Sequence, residues 1–533
     1  MRKFHSYEEV NKDIHYYVPR EELIEQTYNS LLGEEPDYGG HYITVWGPRQ
    51  SGKSWVMREV VDKLKRRDDF EVAILSMQFK TIKTDELILK LLVDGLSEWF
   101  DRDLPEVKDW HTLGSLFSQR YFSKPLILIL DEFDSIGDDF INKFATEFRR
   151  LHTNRLNQRG VPSSEKLCLL HSLALIGVRS VLGIENTGGG SPFNVQRSMP
   201  IPNLTFEEVD SMFHWYERES GQIVEQSVID QVFYEMQGQP GLIGWMGEQL
   251  TEDRFNKDRT KPINMALFKK VYGAALYILP NNNIINLISK ARQEPYKQVV
   301  LKLFNTKKKL LFRYDDTVLN FLYMNGIINW EKDVDEDERY YTKFPCSFVQ
   351  RRLFNAFAND IFPHIGQTYD PFDDLSNTVT DNSLNITNLM RHYEIYLRQN
   401  RDWLLKDAPR RETDGRIMEA TYHFNLYLYL QDFLYDYSSR IHPEFPTGNG
   451  RIDLIIDHGN QRYGLEVKSF SGPRGYRKAL VDTAAYGKQL GLAEISLVFF
   501  CEHITDENRQ KYEKQYQDAK TNVIVEPVFV VVG

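Results

Sequence analysis

Three short stretches of this sequence carry residue types suited to handling phosphate. The octet Gly47-Pro48-Arg49-Gln50-Ser51-Gly52-Lys53-Ser54 follows the apolar run Tyr42-Ile43-Thr44-Val45-Trp46 and opens a helix-patterned stretch from 54 to 64. Glycines at 47 and 52 let successive backbone N–H groups curl around phosphate oxygens. Lys53 would reach the β/γ-phosphates of a nucleotide, and the Ser54 hydroxyl would complete a Mg²⁺ shell at a helix N-terminus. Downstream, Pro125-Leu126-Ile127-Leu128-Ile129-Leu130 reads as a strand buried on both faces, and it ends in Asp131 and Glu132. Asp131 would hold the Mg²⁺ through water, and Glu132 would polarise the water that attacks the γ-phosphate. On its own this could be any buried strand with acids at its turn; paired with the octet it argues for nucleotide hydrolysis. In Leu175-Ile176-Gly177-Val178-Arg179-Ser180, Arg179 stands past a strand end, where ligands of a parallel sheet sit, and would sense the γ-phosphate. The expected cofactors are ATP and Mg²⁺.

A second centre lies near the other end of the sequence. Gly450-Arg451-Ile452-Asp453-Leu454-Ile455-Ile456-Asp457 is followed, after His458-Gly459-Asn460-Gln461, by Tyr463-Gly464-Leu465-Glu466-Val467-Lys468. Read as a hairpin, the two strands put Asp453 and Glu466 where both can bind one Mg²⁺. Lys468, two residues on, shares the face of Glu466. A metal held by two carboxylates acidifies bound water and neutralises charge on a scissile phosphate, while a nearby ammonium positions the nucleophile. The plain alternative is a salt-bridged hairpin. Glu106-Val107-Lys108 repeats the spelling, but it follows Pro105 without a strand pattern and is not read as a site.

These residues need elements to hold them. From about 15 to 250, apolar runs at 72–75, 126–130 and 173–177 alternate with helical patterns, as in a parallel sheet covered by helices; an α/β nucleotide-binding domain is expected over 1–255. Over 256–365 the pattern is mainly helical. It then turns to Asn329-Trp330-Glu331 and Tyr340-Tyr341-Thr342 around an acidic turn, which reads either as a winged helix or as a helical lid. Residues 366–385 shift to Asp, Asn, Ser and Thr and read as a linker. The last domain, 386–533, shows helical stretches at 417–435 and 477–490, the hairpin between them, and a strand at 495–500.

With 533 residues and 41% hydrophobic content, the chain can bury several cores. No window approaches the roughly 18 consecutive apolar residues of a membrane span, and Met1 to Glu9 lacks a secretory h-region. Cys168, Cys346 and Cys501 are scattered singly, so neither a disulfide framework nor a zinc site is expected, and the cytoplasm is the natural compartment. The net charge of −11 excludes a generally basic nucleic-acid coat, leaving local runs such as Lys307-Lys308-Lys309 and Arg410-Arg411.

Taken together, Tyr17-Val18-Pro19-Arg20, the octet, Asp131-Glu132, Ser191-Pro192-Phe193-Asn194 and Gly238-Gln239-Pro240 resemble the prokaryotic AAA-like ATPases of the STAND type, over about 10 to 255. The resemblance implies that Pro240 lies against the nucleotide and that Tyr17 to Arg20 contact the adenine. Arg149 and Arg150 are candidates for a trans-acting finger by position only. The last 120 residues or so resemble the PD-(D/E)XK nuclease superfamily, with a restriction-endonuclease-like α/β fold. Glu419 matches the acidic helix position often seen there and would join Asp453 and Glu466 at the metal. Asp482, four residues before Tyr486, departs from the family's Gln-x-x-x-Tyr. The combination implies an ATPase module controlling a nuclease, with DNA favoured over RNA, in defence against phage or foreign DNA. Homo-oligomers and a partner protein of a defence system fit the same picture. The rivals are a nucleotide-switched scaffold, or a DNA-remodelling ATPase, whose last domain only binds nucleic acid or a partner.

Overall fold

A computed structural model describes residues 1–7, 10–35, 39–78, 84–177, 196–304, 310–333, 339–370, 372–410, 417–437, 439–444, 453–470 and 472–533. Within strands and helices the side chains of Gln196, Glu419, Glu444 and Asp453 are outside the description. The chain divides into two compact units, one formed by Met1–Asn283 with Tyr314–Ile327 and the other by Ile284–Arg313 with Ile328–Gly533.

The first unit is a mixed α/β layer structure around five parallel strands: β1 (Tyr42–Trp46), β2 (Glu71–Ser76), β3 (Leu126–Asp131), β4 (Leu170–Gly177) and β5 (Gln196–Pro200). Their spatial order is β2-β3-β4-β1-β5. Strands β1 and β4 are buried at every position, which is why they read as unbroken apolar runs. The alternation is carried in β3: Ile127 and Ile129 join Val45, Met57 and Val60 on one face, while Leu126, Leu128 and Leu130 pack with Leu89, Phe144 and Phe148 on the other. The register brings Trp46 beside Gly177 and Ser76 beside Asp131, so the ends of β1 to β4 share one edge of the sheet.

The second unit contains a hairpin of β6 (Asn329–Lys332) and β7 (Tyr340–Lys343) and a six-stranded mixed sheet. The sheet strands are β8 (Arg440–Glu444), β9 (Asp453–His458), β10 (Gln461–Ser469), β11 (Glu494–Cys501), β12 (Tyr516–Gln517) and β13 (Ile524–Val531), ordered β12-β13-β11-β10-β9-β8. β8, β9 and β10 are antiparallel neighbours, and β10 pairs parallel to β11 through the crossover helix Pro473–Gln489. That helix buries Tyr476, Leu480 and Ala484 against Leu497, Phe499 and Phe529.

Two expected boundaries fall differently. Residues 256–365 do not cluster as one body, because 256–283 and 314–327 go with the first unit and the remainder with the second. Segment 366–385 is tied down rather than free. The Thr368 hydroxyl donates to Asp432 at 2.9 Å, Leu384 N–H donates to the Tyr463 hydroxyl at 3.0 Å, and His458 Nε2 lies 2.6 Å from the Thr380 carbonyl. Its Asp, Asn and Thr residues bond neighbouring backbone N–H groups, as Asp374 does with Ser376, so a composition that looks like a linker encodes a series of turns. Among the described residues no helix is long and apolar enough to cross a membrane.

Candidate functional site

The octet forms the loop between β1 and the helix Lys53–Leu64. Gly52 holds φ at +88°, a left-handed conformation that L side chains rarely adopt. The helix that follows has no side-chain cap and no acid in its first turn. Its first N–H groups and its positive end are therefore free to meet an anion. A Cβ on Gly47 would stand 2.9 Å from Ser51 Oγ, and that buried hydroxyl has no hydrogen-bond partner among the described residues. Lys53 Nζ donates to the carbonyls of Gly47 and Pro48, each at 2.9 Å. Burial pulls its pKa down to about 8, against the opposing pull of Asp134 and Asp131. An ammonium held there on two carbonyls gains from any anion that enters.

Asp131 ends β3, and its Oδ1 accepts from Glu132 N–H at 2.8 Å. Glu132 has φ of 53°, and its Oε2 accepts from the Ser76 hydroxyl at 2.9 Å. Ser76 went unnoticed in the sequence because nothing around it forms a motif; only the pairing of β2 with β3 brings it to Asp131. Asp134 is also new, placed beside Gly177, where an added Cβ would lie 3.0 Å from its Cγ.

The turn Gly238-Gln239-Pro240-Gly241 closes on the loop from another side. Gln239 caps the helix Pro240–Thr251 by accepting from Leu242 N–H at 2.5 Å, and its Nε2 donates to the Arg49 carbonyl at 3.1 Å. Gly241 N–H donates to the Gln50 carbonyl at 3.0 Å. Pro240 therefore stands between two residues bonded to the phosphate loop. Tyr17 meets Trp55, in the first turn of the loop helix, edge to face at 5.4 Å. Arg20 is engaged with Glu208 at 3.3 Å and donates to the Pro202 carbonyl at 3.2 Å. Arg150 is bound by Glu147. Arg179 and the run 191–194 lie outside the described residues. On the far side, Tyr323 packs edge to face on Trp46 at 5.9 Å, and a Cβ on Gly326 would approach Pro48 to 3.0 Å.

At the second centre the hairpin forms as expected, and its register sets Glu466 directly opposite Asp453. Glu466 is 1% exposed and ion-paired through Oε1 with Lys468, while its Oε2 has no hydrogen-bond partner among the described residues. A buried carboxylate oxygen left in this way suits a hard cation. Asp453 and Glu419 are placed by backbone only, as the first residue of β9 and the first of the helix Glu419–Phe433. Among the described residues no group of three His, Cys, Asp or Glu could hold a metal ion. Glu106 and Lys108 form an exposed pair at 3.4 Å outside any strand.

No protein-family model matches the chain, and no curated protein does. Solved structures match it loosely. The Walker-type ATPase paby2304 of Pyrococcus abyssi is 14% identical, with 66% of this chain and 98% of that one covered at a TM-score of 0.39. The Aeropyrum pernix Orc1 protein in complex with DNA is 15% identical, covering 65% and 94% at 0.32. The RuvB Holliday junction branch migration motor of Thermotoga maritima is 11% identical, covering 61% and 92% at 0.32. At such scores no step of the functional reading rests on them.

Proposed function

We propose that this chain is an ATPase whose nucleotide state controls a Mg²⁺-dependent nuclease in its second unit, with DNA as the favoured substrate. The ATPase half is supported by the uncapped helix behind Gly52, the half-buried Lys53 ammonium and the convergence of Asp131, Glu132 and Ser76 at one sheet edge. Lys53 and the loop N–H groups would bind the β/γ-phosphates, Ser54 and Asp131 would hold Mg²⁺, and Glu132 would orient the attacking water. Tyr17 and Pro240 would line the base end of the site, and Arg179 would sense the γ-phosphate. Mg²⁺ supplies charge neutralisation at the phosphates in both units.

The nuclease half is carried by one observation, the buried Glu466 carboxylate opposite Asp453 with Lys468 beside it. Asp453 and Glu466, with Glu419, would hold the cation. Lys468 would position the attacking water, whose oxygen bonds to phosphorus as the bond to the leaving ribose oxygen breaks and a proton passes to that oxygen. Defence against foreign DNA is the setting this combination of activities fits.

The test is to incubate the full chain with plasmid, linear DNA and RNA, with and without Mg²⁺ and ATP. Cleavage that needs Mg²⁺ and is abolished by Glu466→Gln supports the reading. Binding without cleavage, unchanged in Glu466→Gln, would leave the Glu466–Lys468 pair as a structural salt bridge and favour the scaffold reading.

A further inference from the structure

The helix Pro240–Thr251 carries glycine at 241, 244 and 247, three residues apart and so along one face. Glycine is the least favoured residue of a helix interior after proline, so three within 12 residues need a reason. The reason is close approach. A Cβ on Gly247 would overlap the Phe4 ring, one on Gly244 would overlap the His5 carbonyl oxygen, and one on Gly241 would stand 2.5 Å from Gln50 Cβ. One glycine face thus receives the start of the chain at its far end and the phosphate loop at its near end.

Residues 3–7 are anchored on this face and bonded to the loop. Lys3 N–H donates to the Ile14 carbonyl at 2.8 Å, and Tyr16 N–H donates to the Lys3 carbonyl at 3.0 Å. The buried Phe4 ring lies 5.1 Å from Tyr16 and 4.9 Å from Phe213. Beyond that anchor, the Ser6 carbonyl accepts from Gln50 Nε2 at 2.7 Å. Gln50 stands inside the phosphate loop with φ of 59°, and its own carbonyl accepts from Gly241 N–H at 3.0 Å. Its buried Oε1 has no hydrogen-bond partner among the described residues. A left-handed backbone and a half-satisfied buried amide both cost stability, and such features persist where the surroundings impose them.

We infer that Gln50 is a positioning residue for nucleotide binding, through which residues 3–7, docked on the glycine face, set the backbone of the phosphate loop. This role rests on the ATPase reading of the octet, and it adds a link between two ligands of the same loop. Whatever conformation of Gln50 favours phosphate also favours docking of residues 3–7. ATP therefore tightens that docking, and loosening it weakens ATP by the same factor.

The experiment measures ATP affinity by calorimetry, KM and kcat of phosphate release, and hydrogen exchange over residues 3–7, all on the full chain. Gln50→Ala breaks the link in the loop, and Gly244→Ala breaks it at His5. Each should weaken ATP binding about threefold to tenfold, the scale of one hydrogen bond. KM should rise by a similar factor while kcat changes less than about twofold, because Gln50 meets neither Asp131 nor Glu132. The double variant should lose no more than either single one, since both act through the same segment. ATP should slow exchange over residues 3–7 in wild type but not in Gln50→Ala. Should Gly244→Ala fail to fold, Gly247→Ala, which acts at Phe4, takes its place. ATP affinity in Gln50→Ala equal to wild type, additive losses in the double variant, or exchange over residues 3–7 indifferent to ATP would each overturn the inference. A wild type that binds ATP no better than Lys53→Ala would overturn the ATPase reading itself, a result distinct from failure at Gln50 alone.

Discussion

Lys53 carries the proposed nucleotide contact at the scale of one residue. Its half-buried ammonium rests on two carbonyls, with a pKa drawn down to about 8, so an added counter-charge would stabilise it. Replacing it with alanine should weaken ATP binding by roughly 100-fold, the scale of one or two charge-assisted hydrogen bonds. The thermal midpoint should stay within about 2 °C of wild type, because a desolvated charge is removed rather than a packed side chain. Calorimetric titration with ATP and a melting curve check both halves. ATP affinity equal to wild type would end the phosphate-loop assignment.

Among the elements, the helix Pro240–Thr251 is bonded to the loop through its first turn. Gln239 caps that helix and bonds the Arg49 carbonyl with the same side chain. Gln239→Ala should therefore cost about 1 kcal/mol of cap energy and also weaken ATP binding several-fold, although the residue need not touch the nucleotide. A loss of stability with unchanged ATP affinity would show that the cap and the loop are independent.

The opposite edge of the same sheet carries an acid-sensitive element. His171, on β4, bonds the Leu32 carbonyl through Nε2 at 3.0 Å and the Ser163 hydroxyl through Nδ1 at 2.8 Å. Burial, then Arg155, pulls its pKa from 6.5 to about 3. The folded value is lowered, so the unfolded chain binds the proton more readily. The contribution of His171 to stability is complete above about 6.5 and erodes as pH falls toward about 3, by up to roughly 1.4 kcal/mol per pH unit. Urea unfolding of the wild type and of His171→Gln between about pH 7 and pH 4.5 should show a shallower decline in the variant. Equal slopes would place the acid sensitivity elsewhere.

At the scale of the whole molecule, the chain passes between its two units three times, and the middle excursion, Tyr314–Ile327, sets Tyr323 on Trp46 just before the loop and Gly326 close to Pro48 within it. Residue 328, which follows directly, belongs to the second unit. The wall of the proposed nucleotide site is thus covalently continuous with the unit proposed to cut DNA. A ligand shifts such a system only through its differential affinity for the two states. Glu132→Gln keeps the phosphate and metal contacts but loses the carboxylate that orients water, so ATP should persist on it. We expect this variant to cleave DNA as well as wild type or better while releasing phosphate at least about 100-fold more slowly. Parallel assays of cleavage and phosphate release decide the matter; a joint fall of both activities would mean that turnover, not binding, is the switch.

The sequence by itself determined whatever depends on local spacing. Gly52 before Lys53, the apolar runs of β1 and β3, and the alternation through Glu466 and Lys468 are all properties of contiguous residues, and the elements they imply stand where expected. Tertiary structure alone decided the partners that come from distant segments. Ser76 reaches Glu132 across 56 positions, and Gln239 reaches Arg49 across 190. The same is true of the tethered segment 366–385 and of the 314–327 return, since composition records which residues avoid a core but not which surface their polar groups will bond. Spacing encodes periodicity, and periodicity fixes faces; it carries no information about which face another part of the chain will come to meet.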